Sequence, residues 1–193
     1  MTIMTDFYEA LSHIEIALGR LGRGILLRFL QPGLDSNEFG RELTAAGLPG
    51  EASTEALYSW RDGTQTEGAT LDEIQLFPGF YFLSLEDAMA NYRAFEADPR
   101  WSQSWFPLFA NGGGDFYLIE LGGQMSGPVR HFRIEESEHP VEFRSLPDMM
   151  RTLAEAFMKG VFFVDPDGYL EMDDLRFATL AAELNPGVPW WTA

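Results

Sequence analysis

Trp105-Phe-Pro-Leu-Phe-Ala-Asn-Gly-Gly-Gly-Asp115-Phe-Tyr-Leu-Ile-Glu-Leu121 sets two apolar, aromatic-rich runs on either side of five turn-forming residues. Asn111 and Gly112, Gly113 and Gly114 accept positive φ at little steric cost, and Asp115 can accept a hydrogen bond from a nearby backbone N–H. The chain is therefore expected to reverse here between two strands. A triple glycine also admits a phosphate-loop reading, which requires a helix N-terminus directly after the glycines and usually a Gly-Lys-Ser/Thr ending. Phe116, Tyr117 and Ile119 favour extended structure instead, and no lysine follows the glycines. The stretch predicts a β-hairpin.

Outward from the hairpin, Val129 to Ile134 and Val141 to Phe143 read as further strands, separated by the acidic segment Glu135-Glu136-Ser137-Glu138. Upstream, Phe77 to Leu83 has strand character. Ser84 to Asp87 and Ser145 to Asp148 each resemble a capping box with Asp in the Glu position. The first predicts a helix presenting Leu85, Ala88, Met89 and Tyr92. The second predicts one carrying Leu146, Met149, Met150, Leu153, Ala156 and Phe157, closed by Gly160. Near the N-terminus, Phe7, Leu11, Ile14, Leu18, Leu21 and Ile25 recur at helical spacing and predict a long amphipathic helix packed on the core, with Arg20, Arg23 and Arg28 near its end. Ser36 is expected to cap a helix with Phe39 and Leu43, ended by Gly47, and a further helix holds Leu57, Tyr58 and Trp60. From Arg61-Asp62-Gly63 to about Glu73 the chain reads as exposed loop. Val161 to Val164 reads as a last strand before the turn Asp165 to Gly168, and Leu175, Ala178, Leu180 and Leu184 as a terminal helix. Helices flank a block of strands without strict alternation, so the expected fold is α+β: a single domain over 1–193 with a central, mainly antiparallel sheet surrounded by helices. Residues 1–35 are expected to form a helical extension packed on it.

At 193 residues, 46% hydrophobic and 14% aromatic, the chain can bury one sizeable core. The absence of cysteine excludes disulfides and thiolate chemistry, and the first residues lack the basic-then-apolar layout of a signal peptide, which predicts a cytoplasmic location. No apolar run approaches the roughly 20 residues of a membrane span. Thirty acidic against 13 basic residues give a net charge of −17, beyond the magnitude of about 2 to 8 that suits a small soluble domain. Such a surface repels nucleic acid and anionic lipid and steers basic proteins toward itself. It argues against direct DNA or RNA binding and for a basic protein partner. Solubility, or adaptation to a salty cytoplasm, accounts for the same acidity, and the charge alone does not separate the two readings.

Candidate chemistry is sparse. His13, His131 and His139 have no metal-type spacing; His131 and His139 could approach each other across neighbouring strands and, with Glu138 or Glu142, hold a metal, a geometry that spacing leaves unconstrained. Asp165-Pro166-Asp167-Gly168 with Glu171, Asp173 and Asp174 is the best calcium candidate. An EF-hand loop, however, places glycine sixth and a bidentate Glu twelfth, where this chain has glycine fourth and Arg176 twelfth. A turn leading into an acid-rich helix start is the favoured reading. No Gly-x-Ser-x-Gly elbow is present. No catalytic, cofactor-binding or metal-binding residue is assigned, and no cofactor is expected. Trp190-Trp191 can anchor a partner or tuck the C-terminus against the core, and the tuck is favoured.

The order of these features resembles the SUKH superfamily, which includes the fungal cell-wall-assembly regulators of the Smi/Knr type and many bacterial proteins. The matching elements are Leu48-Pro49, Leu57-Tyr-Ser-Trp60 with Gly63, Phe82-Leu-Ser-Leu85, Trp105-Phe-Pro107, Gly112-Gly113-Gly114-Asp115 with its following strand, Gly127-Pro-Val129, Ser145-Leu146, and Asn185-Pro-Gly187 with the closing tryptophans. The resemblance covers about residues 36 to 191 and is most specific at Trp105-x-Pro107 and Gly-Gly-Asp115. It implies an α+β protein-binding module rather than an enzyme. Many bacterial members are thought to be immunity proteins against polymorphic toxins, often basic nucleases. A partner, a basic toxin domain, would then meet Glu135, Glu136, Glu138 and Glu142, or the cluster Asp165, Asp167, Glu171, Asp173 and Asp174. A housekeeping regulatory scaffold is the alternative, and a metal-dependent hydrolase the remote one.

Overall fold

The computed structural model describes residues 2–122 and 126–192. At its centre, β4 (Trp105–Ala110) and β5 (Phe116–Glu120) pair antiparallel, with Phe106 opposite Ile119 and Ala110 opposite Phe116. The register shifts between Pro107 and Phe109. Proline brings no N–H to the ladder, so the strand absorbs it at a bulge. Asn111 organises the turn: its Oδ1 accepts from the N–H groups of Gly113 (2.7 Å) and Asp115 (3.0 Å), and its Nδ2 donates to Asp115 Oδ2 (2.9 Å). Gly112 and Gly114 take positive φ, 78° and 104°, whereas Asn111 does not. Asp115 Oδ1 accepts from the Ile134 N–H at 2.8 Å, tying the turn to the end of a neighbouring strand.

With β3 (Tyr81–Phe82), β6 (Val129–Phe132) and β7 (Val141–Phe143) the hairpin completes a five-stranded antiparallel sheet in the order β3-β4-β5-β6-β7. Consecutive residues from Phe106 to Ala110 and from Phe116 to Ile119 are buried, so both faces of the hairpin are covered. On one face Phe116 and Phe132 meet Phe95 of α5 (Leu85–Phe95) with ring centroids 5.1 and 5.5 Å apart, and Trp101 lies beside them. On the other, Tyr117 meets Phe77 and Phe80 edge-on at 5.6 and 4.8 Å. The chain thus has the expected single-domain α+β fold, a sheet surrounded by helices.

α1 (Thr2–Arg20) packs along α6 (Leu146–Met158) and buries Phe7, Leu11, Ile14 and Leu18. It stops earlier than its periodicity predicts. Gly22, at φ 77°, turns the chain, Ile25 is left 43% exposed, and Leu26 of the short α2 (Leu26–Phe29) is buried in its place. α3 (Ser36–Ala45) is capped by Asp35 instead of Ser36, through an Oδ1 that accepts from the Asn37 N–H at 2.8 Å. The Ser84 and Ser145 caps form as expected, their Oγ atoms accepting from the Asp87 and Asp148 N–H groups at 3.1 and 3.2 Å.

Two strands depart from expectation. Arg61 to Thr64, read as the start of an exposed loop, is β2; it follows α4 (Ala52–Trp60) and pairs antiparallel with β1 (Leu30–Pro32). Gly63 is buried there so tightly that a Cβ would fall on the backbone of Leu83 and Ser84. Beyond β8 (Phe162–Val164) the chain returns as β9 (Leu170–Met172) before α7 (Asp174–Leu184) begins, so the acidic turn closes a second hairpin and does not lead straight into a helix. α7 buries Phe177, Leu180 and Ala181 but leaves Leu175 79% exposed, so its inner face is rotated from the predicted one. A 3-10 turn, Pro189–Trp191, ends the described fold. Among the described residues no helix is long and apolar enough to cross a membrane.

Candidate functional site

Glu142 is the one nominated partner contact that the fold withdraws from solvent, at 3% exposure. The β6–β7 register shifts between Val129 and Arg130, where Phe143 and Val141 are the partners, which leaves Glu142 as the additional residue. A bulge re-aims the side chain it carries. Glu142 Oε2 accepts from the Tyr117 hydroxyl at 2.8 Å, and Oε1 lies 3.0 Å from His131 Nδ1. The Tyr117 and His131 rings stack at 4.7 Å, and burial, then the Glu142 charge, push the Tyr117 hydroxyl pKa far up. The Glu142 carbonyl accepts from the Trp191 indole N–H. This network ties β5, β6, β7 and the C-terminal turn together.

The remaining acids of this region are on the surface. Glu135, Glu136 and Glu138 are exposed, and their loop is held by its carbonyls: Arg100 Nη1 donates to the carbonyls of Ile134 (2.7 Å) and Glu136 (3.0 Å), and Arg133 Nη2 to that of Glu138 (3.3 Å). The carboxylates form no ion pair among the described residues. Hydrogen bonds from the Arg100 side chain and backbone hold Asp98 down at a pKa of about 2. His139 packs on Phe132 at 4.2 Å and accepts from the Arg133 N–H; burial, with the Arg100 and Arg133 charges, lowers its pKa. The ligand set considered for His131, His139, Glu138 and Glu142 is not assembled, because the Glu142 oxygens are committed and Glu138 faces solvent. Among the described residues no three His, Asp or Glu side chains are placed to hold one metal ion.

The β8–β9 hairpin gathers the second acidic cluster. Asp165 Oδ1 accepts from the N–H groups of Asp167 (2.9 Å) and Tyr169 (2.8 Å), an Asx-type turn, so this oxygen serves the turn. Asp173 caps α7 through the Arg176 N–H at 3.1 Å, and the Arg176 guanidinium donates to the carbonyls of Lys159 (2.8 Å) and Gly160 (3.1 Å), just past the end of α6. Asp167, Glu171 and Asp174 project from the exposed surface, with Phe163 cross-strand from Glu171. Phe163 is 41% and Tyr169 52% exposed. Beside them runs an open groove of about 500 Å³ lined by Tyr169, Glu171, Met172 and Asp174 on one side and Asp72 and Pro78 on the other. Arg23, buried just beyond the turn that ends the opening helix, pairs with Asp72 at 3.2 Å and also approaches the Gly168 carbonyl. It fixes the two walls to each other.

The sequence alone does not place Phe163, Tyr169 and Asp72 at this surface. Recognising β9 would have placed Phe163 and Glu171 on a common strand face; Asp72 arrives only through long-range packing. The residues that carry the resemblance, Trp60, Trp105, Pro107, Gly112, Gly113, Gly114 and Asp115, occupy strand, helix-end and turn positions. Trp60 is half-buried against Phe82, and Trp105 lies under the Arg130 guanidinium at 5.4 Å. The tryptophan pair divides: Trp191 packs beside Phe143 and Phe177, while Trp190 is half-open beneath Arg133. No family model matches the chain, and no curated protein matches it.

Proposed function

We propose that the chain is a non-enzymatic protein-binding module of the SUKH type, an immunity or antitoxin-like protein that neutralises a basic toxin domain through an acidic surface. The observation that carries this reading is the surface of the β8–β9 hairpin and the first turn of α7, where Phe163, Tyr169 and Leu175 are exposed and Asp167, Glu171 and Asp174 supply carboxylates. Aromatic anchors within a charged rim match the anatomy of protein interfaces. The exposed Glu135–Glu138 loop extends the acidic field, and the net charge of −17 favours fast capture of a basic partner. A basic nuclease presents the groove it uses for nucleic acid, and carboxylates on this hairpin can occupy it in place of phosphates.

Co-expression with the product of the neighbouring gene tests the proposal. A complex that survives purification at low salt, weakens as salt rises and protects the host from that product supports it. A neighbouring product that carries no toxic activity and forms no complex contradicts it. Recovery of several endogenous partners without protection from any toxin would instead favour a regulatory scaffold.

A further inference from the structure

On another part of the surface, α3, β2 and α5 enclose a groove of about 330 Å³. Leu34, Leu85 and Met89 supply the apolar part of its lining. Its walls carry Glu38 and Glu42, one helical turn apart on α3, Asp62 from β2, and Glu86 in the first turn of α5. None of these four carboxylates enters an ion pair among the described residues, and Arg93 is the cation in the lining. We propose that this groove docks a basic segment of a protein partner, which inserts an arginine or lysine side chain.

The argument is one of complementarity in two respects. Arginine and lysine carry an apolar stem and a charged head, and they bury the stem against apolar surface while the head stays polar. Leu34, Leu85 and Met89 meet the stem; the four acids surround the head. The volume lies at the lower end of the range of about 300 to 1,000 Å³ typical of ligand pockets. Asp62 stands where burial and neighbouring carboxylates act together. Its carboxyl pKa is raised, first by burial and also by Glu38, Asp87 and Glu86, although the Leu85 N–H donates to Oδ1 at 2.8 Å. A guanidinium placed here relieves that repulsion. A metal is a poorer occupant, since no three acids among the described residues are placed around one ion.

The proposal rests on the protein-binding reading and adds a second contact point to it. The test is an NMR titration at low salt with the peptide acetyl-Ala-Leu-Arg-Leu-Ala-amide, compared with the same peptide carrying citrulline, which keeps the shape of arginine without its charge. The expected result is shifts of the Leu34, Leu85 and Met89 methyls, at least tenfold weaker binding of the citrulline peptide, and at least fivefold weaker binding to the exposed-site variant E38Q/E86Q. E171Q/D174N should bind the peptide like the parent. Equal binding of the citrulline peptide, or shifts spread evenly over the acidic surface, would overturn the proposal. Free arginine or spermidine binding as tightly as the peptide would mark a small-cation site instead and overturn it as well. If hairpin variants abolish a toxin complex while the peptide leaves the groove methyls unmoved, the groove falls and the proposed function stands. If the peptide binds the groove and the neighbouring gene's product does not bind the chain, the toxin reading falls and the groove stands as a docking site for another basic protein.

Discussion

Glu142 shows how one residue can change from surface to core by a local shift of register. Between Val141 and Phe143, strand alternation turns a carboxylate outward; the bulge turns it inward, onto Tyr117 and His131. Glu142→Ala would leave a buried hydroxyl and a ring nitrogen without their acceptor. At about 1–3 kcal/mol for each stranded group, the expected loss is roughly 2–6 kcal/mol by chemical denaturation. Glu142→Gln keeps an acceptor for Tyr117 and should cost less than half of that. An equal loss for both variants would remove the hydrogen-bond account. Asp98 makes a second prediction. Its folded pKa of about 2 lies below the ordinary 3.8, so its contribution to stability is present above that ordinary value and disappears as pH falls through about 2. Its carboxyl should titrate near pH 2 by NMR, and in Arg100→Gln it should return toward 3.8.

At the scale of elements, the legible parts were those specified by contiguous residues. The central hairpin needed only Asn111, three glycines and two aromatic runs, and the α5 and α6 caps needed a serine with an aspartate three residues on. Elements made by distant contacts were not legible. β2 and β9 are four and three residues long, too short for a period, and each exists because a partner strand lies beside it. The end of α1 is hidden in the sequence because Ile25 continues the apolar period, while the left-handed turn at Gly22 interrupts it. The acidic clusters could be located from sequence, but not the groove beside the β8–β9 hairpin, which also needs Asp72 and Pro78. Gly63 gives the sharpest test of β2. It has φ 65° and no room for a Cβ against Leu83 and Ser84, so Gly63→Ala should destabilise the fold by more than about 3 kcal/mol. Gly68→Ala, at a similar φ but in open space, should cost only about 1 kcal/mol. Similar thermal midpoints for the two variants would contradict the packing described.

For the whole molecule, charge is the dominant property. A net −17 repels itself as well as nucleic acid, and raising salt from 0.01 to 0.15 M shortens the screening length from about 30 to about 8 Å. The thermal midpoint should therefore rise over that interval; a constant midpoint would mean that the acids are locally compensated. Partner binding should respond in the opposite sense. The direct test of the acidic hairpin as a protein-binding surface is calorimetric affinity for the neighbouring gene's product, measured for the parent chain and for E171K/D174K at both salt concentrations. The expected result is a complex that weakens with salt and loses at least tenfold in affinity on charge reversal. Unchanged affinity in the variant at both concentrations would contradict it.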